Sequence, residues 1–189
     1  VLENGGDTQA QRRAKEDNDL QVLNEASLRQ THPTMPPFQK AMSIPPGHWK
    51  STTDAFNGYH SVAIRESDRH LTTFLTPWGR YRYRTTPQGY KTSGDAYTHR
   101  FDRITVDVRD CDRVIDDSIL HKPTVGEMFR HVAEYLTLCG QNGIIQNPDK
   151  FTFCERTVNW AGFQLGPDGV RPLPAHTDAI RSFPTPRNI

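Results

Sequence analysis

The 189-residue sequence is short of cysteine, of long apolar runs and of net charge, and each shortage excludes something. Its three cysteines, Cys111, Cys139 and Cys154, are odd in number and widely spaced. That describes no disulfide framework and suits a reducing compartment. No run approaches the ~18 consecutive apolar residues of a membrane-spanning helix, and no secretory signal is recognisable. The expectation is a chain that is not secreted, has no membrane partner and works in the cytoplasm or nucleus. No CxxC, HExxH or other zinc spacing joins the eight histidines to the cysteines. There is no Walker loop, no dinucleotide fingerprint and no Ser or Cys nucleophile motif. Among catalytic chemistries, metal-dependent phosphoryl chemistry is what remains.

What is present is polar and rich in turns. Hydrophobic residues make up 34%, which is low for a compact domain and points to a disordered tail or a large surface facing something polar. Fourteen Pro and thirteen Gly argue against a helical bundle. The net charge of +1 names no partner, but residues 65–103 hold eight Lys/Arg against four Asp/Glu and are locally basic.

Residues 1–18 have no apolar period and read as a polar, disordered tail. Between 19 and 50, two short apolar clusters separated by prolines read as extended chain with one short helix. A strand over 49–54 delivers Asp54 at its end. A hairpin over 71–76 and 79–85 turns at Pro77-Trp78-Gly79. In its second strand Arg80, Arg82 and Arg84 alternate with Tyr81 and Tyr83, giving one cationic and one aromatic face. That face fits either phosphate contact or a charge-guarded edge strand. Ser93 can cap a helix running to about Val108, with Tyr97, Phe101 and Ile104 on one face. A hairpin over 111–121 turns at Asp116-Asp117. Thr124 and Glu127 form a capping box for the clearest helix, whose stripe is Val125, Met128, Phe129, Val132, Tyr135, Leu136 and Cys139 and whose end is Gly140. Strands over 151–155 and 158–165 follow, and a last helix starts near Pro174. The order implies an α+β domain, an antiparallel sheet with helices on one face.

An Asp pair at a hairpin tip is ordinary turn chemistry. Its functional reading needs a third carboxylate, and Asp54 is the candidate. Nucleotidyl transfer gathers such groups because two metal ions roughly 3.5–4 Å apart stabilise both the attacking and the leaving oxygen. Mg²⁺ prefers hard oxygen ligands and takes one or two carboxylates plus substrate phosphates.

Several segments in collinear order, spanning about residues 19–189, resemble the reverse transcriptase of gypsy-class long-terminal-repeat retrotransposons and, more distantly, the retroviral enzymes. Thr53-Asp54-Ala55-Phe56-Asn57-Gly58-Tyr59-His60 is similar to the family's first carboxylate motif, and Pro87-Gln88-Gly89-Tyr90-Lys91-Thr92-Ser93-Gly94 to its nucleotide-contacting motif. Val114-Ile115-Asp116-Asp117 falls where most members have Tyr-x-Asp-Asp, with Val114 in place of Tyr. Gly143-Ile144-Ile145-Gln146-Asn147-Pro148-Asp149-Lys150-Phe151 resembles the fourth motif. Val158-Asn159-Trp160-Ala161-Gly162-Phe163-Gln164-Leu165 resembles the primer-grip hairpin. Ala179 to Pro184 looks like the entry to the thumb, and Asp19 to Asn24 like a fingers segment. Residues 12–18 depart from the family, so the resemblance assigns no triphosphate clamp: either it is damaged, or Arg69 or Lys40 is its substitute.

The resemblance implies a right-hand polymerase palm plus fingers, with thumb and RNase H absent, in a piece of a longer Pol polyprotein. Fingers would cover about 19–48 and 65–90, palm about 49–64 and 91–175, and the thumb or connection would start at 176–189. It implies RNA- and DNA-directed DNA synthesis from dNTPs onto a primer 3′-hydroxyl. Asp54, Asp116 and Asp117 would hold two Mg²⁺, with Mn²⁺ as a substitute, and Lys150 would act as general acid. Ala55, Phe56, Tyr59, Gln88 and Ile115 would contact the nucleotide, with Tyr59 as steric gate against a ribose 2′-hydroxyl. Arg80, Arg82, Arg84, Trp160, Ala161 and Gly162 would contact RNA or DNA template and primer. Other Pol segments (protease, RNase H, integrase) would be partners, and a virus-like particle in the cytoplasm the setting. The alternative is an inactive remnant that only binds nucleic acid. Beside these roles, Tyr59 also fits a half-buried core tyrosine and Lys150 a surface lysine.

Overall fold

The computed structural model describes residues 19–29, 31–56, 58–174, 177–178 and 182–183. The polar segment 1–18, Asn57 and, apart from Ser182 and Phe183, the thumb-like segment from Ala179 lie outside the described residues, as does much of the helix expected near Pro174.

Along the chain the elements are α1 (Gln21–Ala26), α2 (Pro37–Ser43), β1 (Trp49–Asp54), 3-10 turns at Gly58–Ser61 and Glu66–Thr72, β2 (Phe74–Thr76), β3 (Gly79–Tyr81), α3 (Ser93–Ile104), β4 (Cys111–Val114), β5 (Asp117–Lys122), α4 (Val125–Gln141), a 3-10 turn at Pro148–Lys150, β6 (Thr152–Glu155), β7 (Val158–Trp160), β8 (Phe163–Gly166) and β9 (Gly169–Pro172). They form two compact units. The first holds the described residues up to His32 together with 58–101; the second holds 33–56 and those from Asp102 onward.

In the second unit an antiparallel sheet runs β4-β5-β1-β6. The two inner strands, β1 and β5, each bury four consecutive residues, because both faces of the sheet are covered. One face meets α4. There the Tyr135 hydroxyl donates to Ser118 Oγ at 2.8 Å, and Met128, Val132, Tyr135 and Cys139 are buried. The other face carries Ile119 into a cluster with Ala41 and Ile44 beside α2 and Val158, Trp160 and Leu165 from the sheet β7-β8-β9; Val114 packs against the same cluster. β6 bulges at Cys154 (φ 56°), whose N–H donates to Ser51 Oγ at 2.9 Å while the register with β1 shifts. Lys50 is buried on β1, and its ammonium donates to the carbonyls of Pro46 (3.1 Å), His48 (3.0 Å) and Arg156 (3.4 Å).

Helix α4 follows its sequence signal closely. Thr124 Oγ1 accepts from Glu127 N–H at 3.3 Å and donates to the Glu127 carboxylate at 2.6 Å. The inward stripe is narrower than expected, since Val125 and Phe129 are exposed. His131 takes an inner place instead, with Nε2 3.2 Å from the Asp110 carbonyl.

In the first unit, Tyr97 and Phe101 of α3 are fully buried, as their spacing predicts. The helix ends at Ile104, four residues early, just before the exposed Val106. Ser93 does not cap it from outside: Ser93 is the first helical residue, and its hydroxyl donates to the Pro87 carbonyl at 2.8 Å. The hairpin is also shorter than expected. β3 stops at Tyr81, so Arg82 and Arg84 lie beyond the ladder, and Leu71 and Thr72 belong to the preceding 3-10 turn. The alternation survives in exposure: Arg80, Arg82 and Arg84 face solvent, while Tyr81 and Tyr83 are half-buried against Phe74.

Candidate active site

The site lies at the end of the sheet in the second unit, where β1 and β5 bring two carboxylates side by side. Asp54 and Asp117 are paired residues of adjacent antiparallel strands. Asp116 precedes Asp117 in the two-residue β4–β5 loop, and its carbonyl accepts from Ala55 N–H at 3.0 Å, so the two carboxylate segments are bonded to each other. In this loop Ile115 has φ 54° and Asp116 does not have a positive φ. That is the pattern of a type II′ hairpin turn, whose first position normally belongs to glycine.

A second segment buttresses the first. The Asp54 carbonyl accepts from Asn147 N–H (2.8 Å), the Ile145 carbonyl from Phe56 N–H (2.8 Å), and Thr53 Oγ1 donates to Gln146 Oε1 (2.8 Å). Asn147 then caps the 3-10 turn Pro148–Lys150 by accepting from Asp149 N–H at 3.1 Å. This turn carries Lys150 back over β1, and its Nζ donates to Asp54 Oδ2 at 2.9 Å.

The electrostatics follow from crowding like charges in a half-buried place. Burial, then the neighbouring Asp54 carboxylate, pushes Asp117 up to about 6. Burial and Asp54 also raise Asp116. The bond to Asp54 raises Lys150. Asp116 Oδ1 is buried with no hydrogen-bond partner among the described residues. Among the described residues no three His, Cys, Asp or Glu side chains are grouped as a ready-made metal cage.

A cleft of about 330 Å³ opens onto these groups. Asp54, Asp117 and Lys150 line it together with Trp160, Ala161 and Gly162, at the β7–β8 turn, where Ala161 (φ 48°) and Gly162 (φ 88°) are both left-handed. That is a type I′ turn, which a two-residue hairpin favours. Trp160 is 3% exposed and its indole N–H has no partner among the described residues. Asn159, Thr52 and Leu173 also line the cleft. Thr52 shares the β1 face of Asp54 two residues away, a signal that strand alternation could have supplied. Ala55 is buried, whereas Phe56 and Ile115 are about half exposed.

The remaining expected site residues belong to the first unit. Tyr59 is half-buried in the Gly58–Ser61 turn, its ring edge-on to Tyr97 at 5.9 Å, and its carbonyl accepts from Thr86 Oγ1 at 2.5 Å. Gln88 is exposed in a turn closed by Gly89 (φ 88°). Asn24 clamps that turn, donating to the Gly89 carbonyl (2.9 Å) and accepting from Lys91 N–H (2.8 Å), a role its sequence position alone did not reveal. Of the two substitutes for a triphosphate clamp, Arg69 Nε donates to the Ile64 carbonyl (3.1 Å) and Lys40 Nζ to the Arg113 carbonyl (2.5 Å).

The family model for reverse transcriptase (RNA-dependent DNA polymerase) matches residues 12–165. The chain belongs to the reverse transcriptase family. This reverse transcriptase segment is 24% identical over 171 residues to the retrovirus-related Pol polyprotein from transposon gypsy of Drosophila melanogaster, covering 89% of the chain and 16% of that polyprotein. It is 24% identical over 137 residues to the transposon Tf2-3 polyprotein of Schizosaccharomyces pombe, covering 71% of the chain and 10% of the relative. Among solved structures, the foamy viral protease-reverse transcriptase in complex with RNA/DNA hybrid superposes with a TM-score of 0.81 at 19% identity, covering 89% of this chain and 23% of that one. The same enzyme's dRH form with double-stranded DNA gives 0.84 at 19% identity, with 89% and 30% covered. The α+β fold expected from the sequence is thus the fold of a partial reverse transcriptase domain.

Proposed function

We propose that this chain is the fingers-and-palm part of a retrotransposon polymerase, adding dNTPs to a primer 3′-hydroxyl on RNA or DNA templates. The reading rests above all on the pairing of Asp54 with Asp117, beside Asp116 and under Lys150.

The donor set fits two Mg²⁺ ions, with Mn²⁺ as a substitute. Asp54 and Asp117 repel each other unless a cation or a proton intervenes, and Asp116 keeps a buried oxygen without a partner among the described residues. All are hard oxygen donors. A ready-made cage is not required, because Mg²⁺ keeps waters and takes part of its shell from substrate phosphates. When bound, the ions would stabilise the charge on attacking and leaving oxygens.

The chain's own groups do the rest in this reading. Lys150 holds an ammonium beside Asp54 and supplies a proton toward the leaving pyrophosphate. The Trp160-Ala161-Gly162 turn lets a primer backbone lie close along the cleft. Tyr59, braced by Tyr97, acts as the steric gate against a ribose 2′-hydroxyl, and Gln88, Ala55, Phe56 and Ile115 serve as nucleotide contacts. The exposed guanidiniums of Arg80, Arg82 and Arg84 bind backbone phosphates, so affinity falls as salt rises. In the parent polyprotein the domain works beside RNase H, integrase and protease segments.

The test is incorporation of a single dNTP onto a DNA primer annealed to RNA. Extension that needs Mg²⁺ or Mn²⁺ and stops with a chelator supports the reading. Nucleic-acid binding without extension under any divalent ion would leave the inactive remnant instead.

A further inference from the structure

The strained turn that carries Asp116 is held from behind by a buried arginine. Arg113 is 7% exposed on β4, three residues before Asp116. Its Nη1 donates to the Ile115 carbonyl at 2.7 Å. Its Nη2 forms an ion pair with Asp102 near the end of α3. Its own carbonyl accepts from Lys40 Nζ of α2 at 2.5 Å. Ile115 needs such help. A β-branched residue at φ 54° is a conformational outlier, and outliers persist only where their surroundings over-determine them. The Ile115 carbonyl belongs to the peptide plane that leads directly into Asp116, so gripping it sets where the Asp116 backbone begins.

We propose that Arg113 is a positioning residue for the metal-holding carboxylates. One prong of its fork is anchored on Asp102 and the other clamps the Ile115 carbonyl, keeping the left-handed turn and the aim of Asp116. This rests on the reading of Asp54, Asp116 and Asp117 as metal ligands. The planar two-pronged guanidinium is essential to it, because the single ammonium of lysine cannot hold a carboxylate and a carbonyl in one fixed plane.

The experiment measures Mn²⁺ binding to the full 189-residue chain by electron paramagnetic resonance, with thermal unfolding of each variant in parallel. Removing a group that orients a metal ligand typically weakens metal affinity by about 10–100-fold. Arg113→Met is expected to lose at least about tenfold on that scale. Arg113→Lys, which keeps the charge and loses the fork, is expected to lose nearly as much. Asp102→Asn, which leaves the clamp but frees its anchor, falls between wild type and Arg113→Met. If Arg113→Met does not fold, Arg113→Lys and Asp102→Asn decide. Wild-type affinity in Arg113→Lys would overturn the inference, since a bare charge would then suffice. Undiminished binding in all three variants, with binding lost in Asp116→Asn, would overturn it as well and leave the metal site standing. Undiminished binding in Asp116→Asn would overturn the metal site itself, and this inference with it.

Discussion

The Lys150 ammonium donates to the Asp54 carboxylate at 2.9 Å, joining a 3-10 turn to the end of a strand 96 residues earlier. The Lys150 side chain is 60% exposed and Asp54 17%, so the pair is an open one on the rim of the cleft. Its worth to stability is that of a surface ion pair, ~0–1 kcal/mol. Its worth to chemistry, if Lys150 is the proton donor, is far larger. Lys150→Met is expected to lower kcat about a hundredfold or more, the usual range for losing a general acid, while shifting Tm by no more than about 2 °C. Pre-steady-state nucleotide incorporation and a thermal melt check the two halves. A large loss of Tm with unchanged kcat would assign Lys150 to structure.

Asp117 makes a prediction of the opposite sign. Burial and Asp54 raise its folded-state value to about 6, above the ordinary carboxylate value of 3.8. The protonated form is therefore favoured on folding. Its contribution to stability is full below about pH 4 and is lost as pH rises through 6. Above that, in the absence of divalent ions, the site strains the fold. Asp117→Asn is expected to raise the metal-free Tm at pH 7.5 by roughly 2–6 °C, corresponding to ~1–2 kcal/mol. Mg²⁺ is expected to stabilise the wild type and not this variant. Melts with a chelator and with Mg²⁺ read both effects.

His121 behaves the other way round. It is 6% exposed, its Nδ1 lies 3.1 Å from His48 Nδ1, and burial lowers it to about 4 from 6.5. The neutral form is favoured on folding, so its stabilisation is present above pH 6.5 and is lost as pH falls toward 4. The gap in Tm between wild type and His121→Gln is expected to be widest at pH 7 and to narrow by pH 4.5. A gap independent of pH would mean that His121 is not titrating in this window.

Tyr59 stands edge-on to Tyr97, and its ring passes Gly94 at a distance where an added Cβ would make only ordinary contact, 3.9 Å. If that ring is the steric gate, Tyr59→Ala admits ribonucleotides. The ratio of kcat/KM for dNTP over rNTP is expected to fall at least about tenfold, the scale on which a pocket discriminates small groups. An unchanged ratio would return Tyr59 to the core.

Local signals in the sequence were strong enough to recover most of the elements. The Thr124 cap, the buried Tyr97–Phe101 spacing and the strand into Asp54 are all local, and all three stand in the structure. Non-local features were not legible. Nothing near Arg113 in the sequence announces that its fork reaches both Asp102 and the Ile115 carbonyl. Nor does Asn24 announce its hold on the turn at Gly89. Sequence alternation overstates the hairpin because Arg82 and Tyr83 keep it beyond the end of the β2–β3 ladder, so exposure and ladder pairing part company there. His131 does not stand out on the α4 stripe in sequence because imidazole is polar, although the Asp110 carbonyl satisfies it inside.

Primer extension on an RNA template with Mg²⁺, comparing the wild type with Asp116→Asn, tests the central claim most directly. Losing a carboxylate that holds the ions should remove several kcal/mol of transition-state stabilisation. The expected result is full-length or distributive extension by the wild type and a rate lower by at least about a hundredfold in the variant. Equal extension by the two proteins would contradict the account.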